Sequence, residues 1–174
     1  GEIGTFYSDG AQTSAQSKNG FIRISSLEAA LPVLQKASGE YSEIYRDISL
    51  NKLTARHALP LIYGKLFSFL SEPYWFTHGN WVIFCNDLAN AKSTINSLLA
   101  EKTWANQSDF EVVESLRDSD ANILVIAKNP EWLNLAKKEL QPEIAKKINK
   151  KSLENINWTL VQIKQKGDAA YNEV

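Results

Sequence analysis

Residues 74–86 read Tyr-Trp-Phe-Thr-His-Gly-Asn-Trp-Val-Ile-Phe-Cys-Asn, and the fold follows from this stretch. Two short runs rich in aromatic and β-branched residues, Tyr74 to His78 and Trp81 to Asn86, are joined by Gly79-Asn80. A two-residue loop with glycine first matches the twist of a tight antiparallel hairpin. Successive strand residues face opposite sides, so Tyr74 and Phe76 share one face while Trp75 takes the other. Cys85 alternates with Trp81 and Ile83, which predicts a small buried apolar residue.

Directly after the hairpin, Asn86 or Asp87 caps a helix from Leu88 to about Lys102, with Leu88, Ala91, Ile95, Leu98 and Leu99 on one face. Upstream, Phe21 to Ile24 is a short strand. Ser25 with Glu28 three residues on forms a capping box that opens a helix to about Ala37, which Pro32 kinks or shortens and Gly39 ends. Tyr41 to Leu50 reads as one imperfectly alternating strand and Leu59 to Phe69 as another. Downstream, Ser108 and Glu111 open a shorter helix through Leu116. Asn122 to Ala127 is an apolar run, Asn129-Pro130-Glu131 starts a helix that Pro142 interrupts and that continues to Lys150-Lys151, and Trp158 to Ile163 alternates as a last strand.

Three times, at Phe21, Val82 and Ile123, an apolar strand passes through a Ser, Asn or Asp cap into an amphipathic helix. The expected fold is therefore α+β: a mainly antiparallel or mixed sheet with helices packed on one face, built from strand-cap-helix units. Residues 1–19 are expected to form a mobile N-terminal segment, 20–165 a single α+β domain, and 166–174 a polar tail at an excised boundary.

Composition narrows the function classes. The chain has 174 residues, 44% apolar and 22% charged, enough to bury roughly 70% of its unfolded surface without disulfides or metal staples. Nineteen Lys and Arg against 20 Asp and Glu leave a net charge of -1, which speaks against dedicated nucleic-acid or anionic-membrane binding. A single cysteine, Cys85, forms no internal disulfide. No apolar run approaches the ~18 residues needed to span a bilayer. The chain begins Gly-Glu-Ile without Met, so it is expected to be a piece of a longer protein whose targeting signal is missing.

The chemical motifs are sparse. The eight glycines never take GxGxxG or GxxxxGK[ST] spacing. His57 and His78 lack a partner at metal-ligand spacing, and no serine stands in G-x-S-x-G. Glu40, Glu43 and Asp47, and again Asp118 and Asp120, are carboxylates in turn-rich segments. Asp118 to Asn122 opens like a calcium loop but lacks the later glycine and acid. The lysines at 137, 138, 146, 147, 150 and 151 are offset by Glu131, Glu139 and Glu143 and suit a solvated helix face. No catalytic residue, metal ligand or cofactor is assigned. The aromatic cluster Tyr74, Trp75, Phe76 and Trp81 is the most unusual local feature: its rings are either core, including a contact with a neighbouring domain, or an exposed ligand-binding surface.

The run from Tyr74 to Ala91, the capped helix ending Ile95-Asn-Ser-Leu-Leu, the strand Asn122-Ile-Leu-Val-Ile with the Asn129-Pro-Glu-Trp-Leu helix start, and the closing Asn157-Trp-Thr-Leu-Val-Gln-Ile-Lys together resemble a segment of large envelope proteins of Bacteroidetes. Those modules of unassigned function lie between an N-terminal membrane or lipoprotein signal and a C-terminal β-propeller-like region. The resemblance covers roughly residues 40 to 174. It implies export to the cell envelope or periplasm and transfers no catalytic residue. The leading expectation is a non-catalytic structural or interaction module of a larger exported bacterial envelope protein. Its partners would be proteins or other domains of the parent chain, with no nucleic acid and no direct membrane insertion. The rival expectations are glycan or small-molecule binding through the aromatic hairpin 74–81, and a hydrolase whose acid pair is assembled by the fold.

Overall fold

The computed structural model describes residues 2–7, 18–128 and 157–164. The chain divides into two compact units, Gly1–Thr103 and Trp104–Val174, where the sequence reading drew one domain over 20–165. The helix expected from Asn129 to Lys151 and the tail 166–174 lie outside the described residues.

The first unit is a six-stranded, wholly antiparallel sheet. Its strands are β1 (Ile3–Tyr7), β2 (Lys18–Arg23), β3 (Ser38–Tyr45), β4 (Ile48–Leu53), β5 (Tyr74–His78) and β6 (Trp81–Cys85), in the spatial order β1-β2-β6-β5-β4-β3. Its helices are α1 (Leu27–Ala37), α2 (Ala58–Tyr63) and α3 (Leu88–Leu99), with a 3-10 turn at Gly64–Phe67. The fold is thus α+β with an antiparallel sheet. Ile3–Tyr7, at the start of the segment 1–19, is an edge strand of that sheet.

The hairpin at its centre forms as its loop demands, with Gly79 at a positive φ of 54°. Trp75, Val82 and Phe84 point to one side and join Leu53, Leu59, Phe67 and Leu70, with Leu31 and Leu34 of α1 packed against them. Phe76, Ile83 and Cys85 point to the other and join Leu50 and the α3 residues Ala91 and Ile95. Helices therefore cover both faces of the sheet, and the expectation of helices on one face is corrected. The reason lies in Trp81-Val-Ile-Phe-Cys, where unbroken apolar character along a strand means that both faces exclude water.

Local chemistry shifts several boundaries. Ser26, one residue beyond the expected Ser25, caps α1 by accepting from the Ala29 N–H, and Asp87 caps α3 by accepting from the Asn90 N–H. Pro32 removes one hydrogen bond without ending α1, because Leu31 and Leu34 pack on the core to either side of it. The strand expected over Tyr41 to Leu50 is a hairpin, β3–β4, reversed at Arg46 and Asp47 with φ of 50° and 64°. The strand expected over Leu59 to Phe69 is α2 and the 3-10 turn. Pro60 sits in the first turn of α2, where no N–H is needed, and Gly64 at φ 67° redirects the chain.

Buried polar groups fix α3 to the sheet. Asn90 donates to the Asn19 side-chain oxygen at 2.8 Å, and the Thr94 hydroxyl donates to the Asn90 carbonyl at 2.9 Å. Gly20, next to Asn19, faces the opposite core, and a Cβ there would meet Phe67 at 2.7 Å and Leu70 at 3.0 Å. The strand must be bare at that point.

The second unit contains a 3-10 turn (Trp104–Asn106), α4 (Phe110–Ser115), β7 (Ile123–Lys128) and β8 (Trp158–Ile163). The two strands pair antiparallel from Ile123↔Ile163 to Lys128↔Trp158. Trp158 stacks edge-on against Trp104 and Phe110, at 5.0 and 5.2 Å between centroids, and its indole N–H donates to Asp109 at 2.9 Å.

Two outcomes are expected in chemical denaturation. Arg46→Asn with Asp47→Gly, which gives the reversal the residues that favour positive φ, raises unfolding free energy by about 1 kcal/mol. Trp75→Ala, which empties one core and removes the indole hydrogen bond to Ser38, lowers it by about 3–5 kcal/mol.

Candidate functional site

The four rings of the aromatic hairpin do not converge. Trp75 and Phe76 are fully buried in opposite cores, and the Trp75 indole N–H donates to the Ser38 hydroxyl at 2.8 Å. Neither can present a ring to a ligand, and that part of the expected surface is corrected: adjacent strand residues on a sheet covered on both sides are both core. Trp81 is half-buried, edge-on to Phe21 at 5.3 Å and beneath the Arg23 guanidinium at 5.5 Å. Tyr74 is half-buried at the far end of the hairpin, since it pairs with Cys85 while Trp81 pairs with His78.

Tyr74 borders an open groove of about 490 Å³ that Lys52, Arg56, Glu72, Asp87 and Leu88 also line. Glu72 is bridged by Arg56 and by Lys52, the latter at 3.3 Å, and the Arg56 guanidinium followed by the Lys52 ammonium holds its carboxyl below the ordinary range. Lys52 also lies over the Tyr74 ring at 5.7 Å. Asp87 is engaged as the α3 cap. Two cations and two anions cancel there, and each has an internal partner, so the groove offers a ligand little unspent charge.

Several other titratable groups are likewise committed. Burial pushes the Cys85 thiol up to about 12, far from the reactive thiolate range. Tyr41 donates to Glu43 at 2.6 Å, which together with burial raises its phenol to about 12. Glu43 is held low by Lys92 at 2.7 Å and by Tyr41. Asp118 is held low by Lys164 and by the Asp120 N–H, and Lys164 is raised in return. A general acid needs its carboxyl raised, so Glu43, Glu72 and Asp118 are tuned the wrong way for that role. Among the described residues, no group of three His, Cys, Asp or Glu side chains could hold a metal ion. His57 and His78 are both exposed, His57 in the left-handed region at φ 56°.

What the polar groups lack, two apolar surfaces supply. Residues paired across an antiparallel ladder share a face, so Ile123, Val125, Val161 and Ile163 lie together on one side of β7–β8. They are 53%, 43%, 44% and 51% exposed. The opposite side carries Trp158 and Gln162, which pack and hydrogen-bond to the α4 segment through Trp104, Phe110 and the Leu116 carbonyl. In the first unit, Leu61, Ile62 and Leu66 are 83%, 69% and 38% exposed. Alternation in Trp158 to Ile163 signalled the first surface. Reading Leu59 to Phe69 as a strand hid the second.

The shifted groups set an alkaline limit. Cys85 and Tyr41 both have folded values above their ordinary ones, so each contributes stability fully below its unfolded value, near 9 and 10 respectively, and loses it as pH rises toward 12. Thermal melts followed by circular dichroism are expected to show a midpoint falling through this window. Cys85→Ala removes the part of the slope that begins near pH 9, and Tyr41→Phe the part that begins near pH 10.

Comparison of the chain with protein-family models, with curated proteins and with solved structures gives no match.

Proposed function

We propose that this chain is a non-catalytic structural and interaction module of a larger exported protein of the bacterial envelope, with other domains of the parent chain or separate proteins as its partners. The observation that carries this reading is the face formed by Ile123, Val125, Val161 and Ile163. Two strands alone are marginal in water, and a contiguous exposed aliphatic face beside an occupied one marks a surface that another polypeptide covers. The internal pairing of Glu43, Glu72 and Asp118 with cations supports the non-catalytic half of the reading. The envelope assignment rests on the resemblance of the segments around Tyr74, Asn122 and Asn157 to exported Bacteroidetes modules.

Amide hydrogen exchange of Ile123–Lys128 and Trp158–Ile163 tests the surface. It is expected to be slower by roughly tenfold or more in the full-length parent protein than in the isolated chain, and Val125→Thr with Val161→Thr should abolish the difference. Equal exchange in the two contexts overturns the interaction role. Turnover in a panel of hydrolase substrates that vanishes on one polar substitution overturns the non-catalytic one.

A further inference from the structure

The net charge of -1 hides an uneven distribution along the chain. Between Asp47 and Glu72 there are three cations, Lys52, Arg56 and Lys65, and no acidic residue. Glu72 bridges Lys52 and Arg56, so those two cations are partly spent, while Lys65 stands outside that cluster.

Leu61, the most exposed large apolar side chain among the described residues of the first unit, stands in the middle of this stretch. α2 and the 3-10 turn send Leu59 and Phe67 into the core and leave Leu61, Ile62 and Leu66 outside, 83%, 69% and 38% exposed, beside an exposed Lys65. The segment is apolar on both sides, and the fold uses only one of them. A Cβ on Gly64, between Ile62 and Leu66, would meet nothing within 4 Å, so the outer side is open at that point.

Area and charge decide what such a tip fits. The three side chains offer on the order of a few hundred Å² of apolar surface, well short of the ~800 Å² that each partner contributes to a stable protein interface. Lipid acyl chains part around a small apolar group, and anionic headgroups complement Lys65 beside it.

We propose that the α2 tip docks on an anionic phospholipid surface, with Leu61 and Ile62 entering the acyl boundary and Lys65 among the headgroups. The contact lies on a bilayer rather than across it: among the described residues no helix is long and apolar enough to cross a membrane. It is separate from the β7–β8 face, and neither proposal depends on the other.

Flotation of the whole chain with phosphatidylcholine vesicles, with and without phosphatidylglycerol, is the test. The chain should float with the mixed vesicles and do so more weakly as salt rises, because screening reaches the lysine–headgroup attraction. Leu61→Gln with Ile62→Gln should weaken binding roughly tenfold or more. Lys65→Gln should weaken it several-fold, while Val125→Thr with Val161→Thr leaves it unchanged. Leu61→Trp should give a blue-shifted emission quenched by brominated lipid. All these positions are exposed, and unchanged circular dichroism melts confirm that the variants fold. Absence of binding to either vesicle, or binding indifferent to the Leu61 and Ile62 changes, overturns the proposal. Binding lost only with the Val125 and Val161 changes also overturns it. So does self-association in sedimentation velocity that the Leu61 and Ile62 changes abolish without vesicle binding, which would assign the tip to a second copy of the chain.

Discussion

The first unit depends on one constraint: β5 and β6 are dry on both sides. Trp75 and Phe76 are neighbours along the chain, and strand geometry sends them in opposite directions, yet both are fully buried. Each seeds its own core. Val82 and Phe84 repeat the first direction and Ile83 and Cys85 the second. Two cores on one sheet require two sets of covering elements, so α1 and α2 lie over one side and α3 over the other. The neighbouring strand obeys the same alternation. Gly20 stands opposite Phe84 and makes room for Phe67 and Leu70, while Asn19 stands opposite Cys85 and reaches α3.

That asparagine explains how α3 finds one position on an apolar face that would tolerate several. Hydrophobic contact is non-directional, so Ala91 and Ile95 alone would let the helix slide along the sheet. Asn19, Asn90 and Thr94 are buried and hydrogen-bonded to one another. A shift of one residue in α3 would leave their groups unpaired in the interior, at a cost of about 1–3 kcal/mol for each. The network therefore specifies the register of the helix. It also surrounds Cys85 with structural groups, leaving the thiol neutral and enclosed.

Much of this architecture was legible in the residues. Gly79-Asn80 announced the central hairpin, and Asp87 announced α3. The unbroken apolar run of β6 also implied cover on both faces, although the strand-to-helix repeats suggested one. Other features were illegible for physical reasons. Arg46 and Asp47 reverse the chain without glycine, because pairing of β3 with β4 holds them at positive φ. Leu59 and Leu61 look alike in sequence, yet one is core and the other almost free in solvent, a difference that only the packing of Phe67 and Leu70 decides. The ion pairs are equally hidden, since Glu43 meets Lys92 and Glu72 meets Lys52 across long stretches of chain. Of the four rings at 74–81, Trp75 and Phe76 are core and Tyr74 and Trp81 half-buried, because aromatic richness signals burial as readily as display.

The contrast between polar and apolar groups carries the functional argument furthest. Acid–base chemistry needs neighbouring groups whose environments push their pKa values apart. Here Glu43, Glu72 and Asp118 are all pulled down by a lysine or arginine in direct contact, so each acts as a counterion. The apolar groups behave in the opposite way. Surface substitutions away from caps, cores and buried networks change stability by no more than about 0.5 kcal/mol, and Leu61, Ile62, Val125 and Val161 occupy such exposed positions. The fold would tolerate polar residues at all four. Their apolar character is therefore surplus to folding, which is why the proposed contacts are placed on these surfaces.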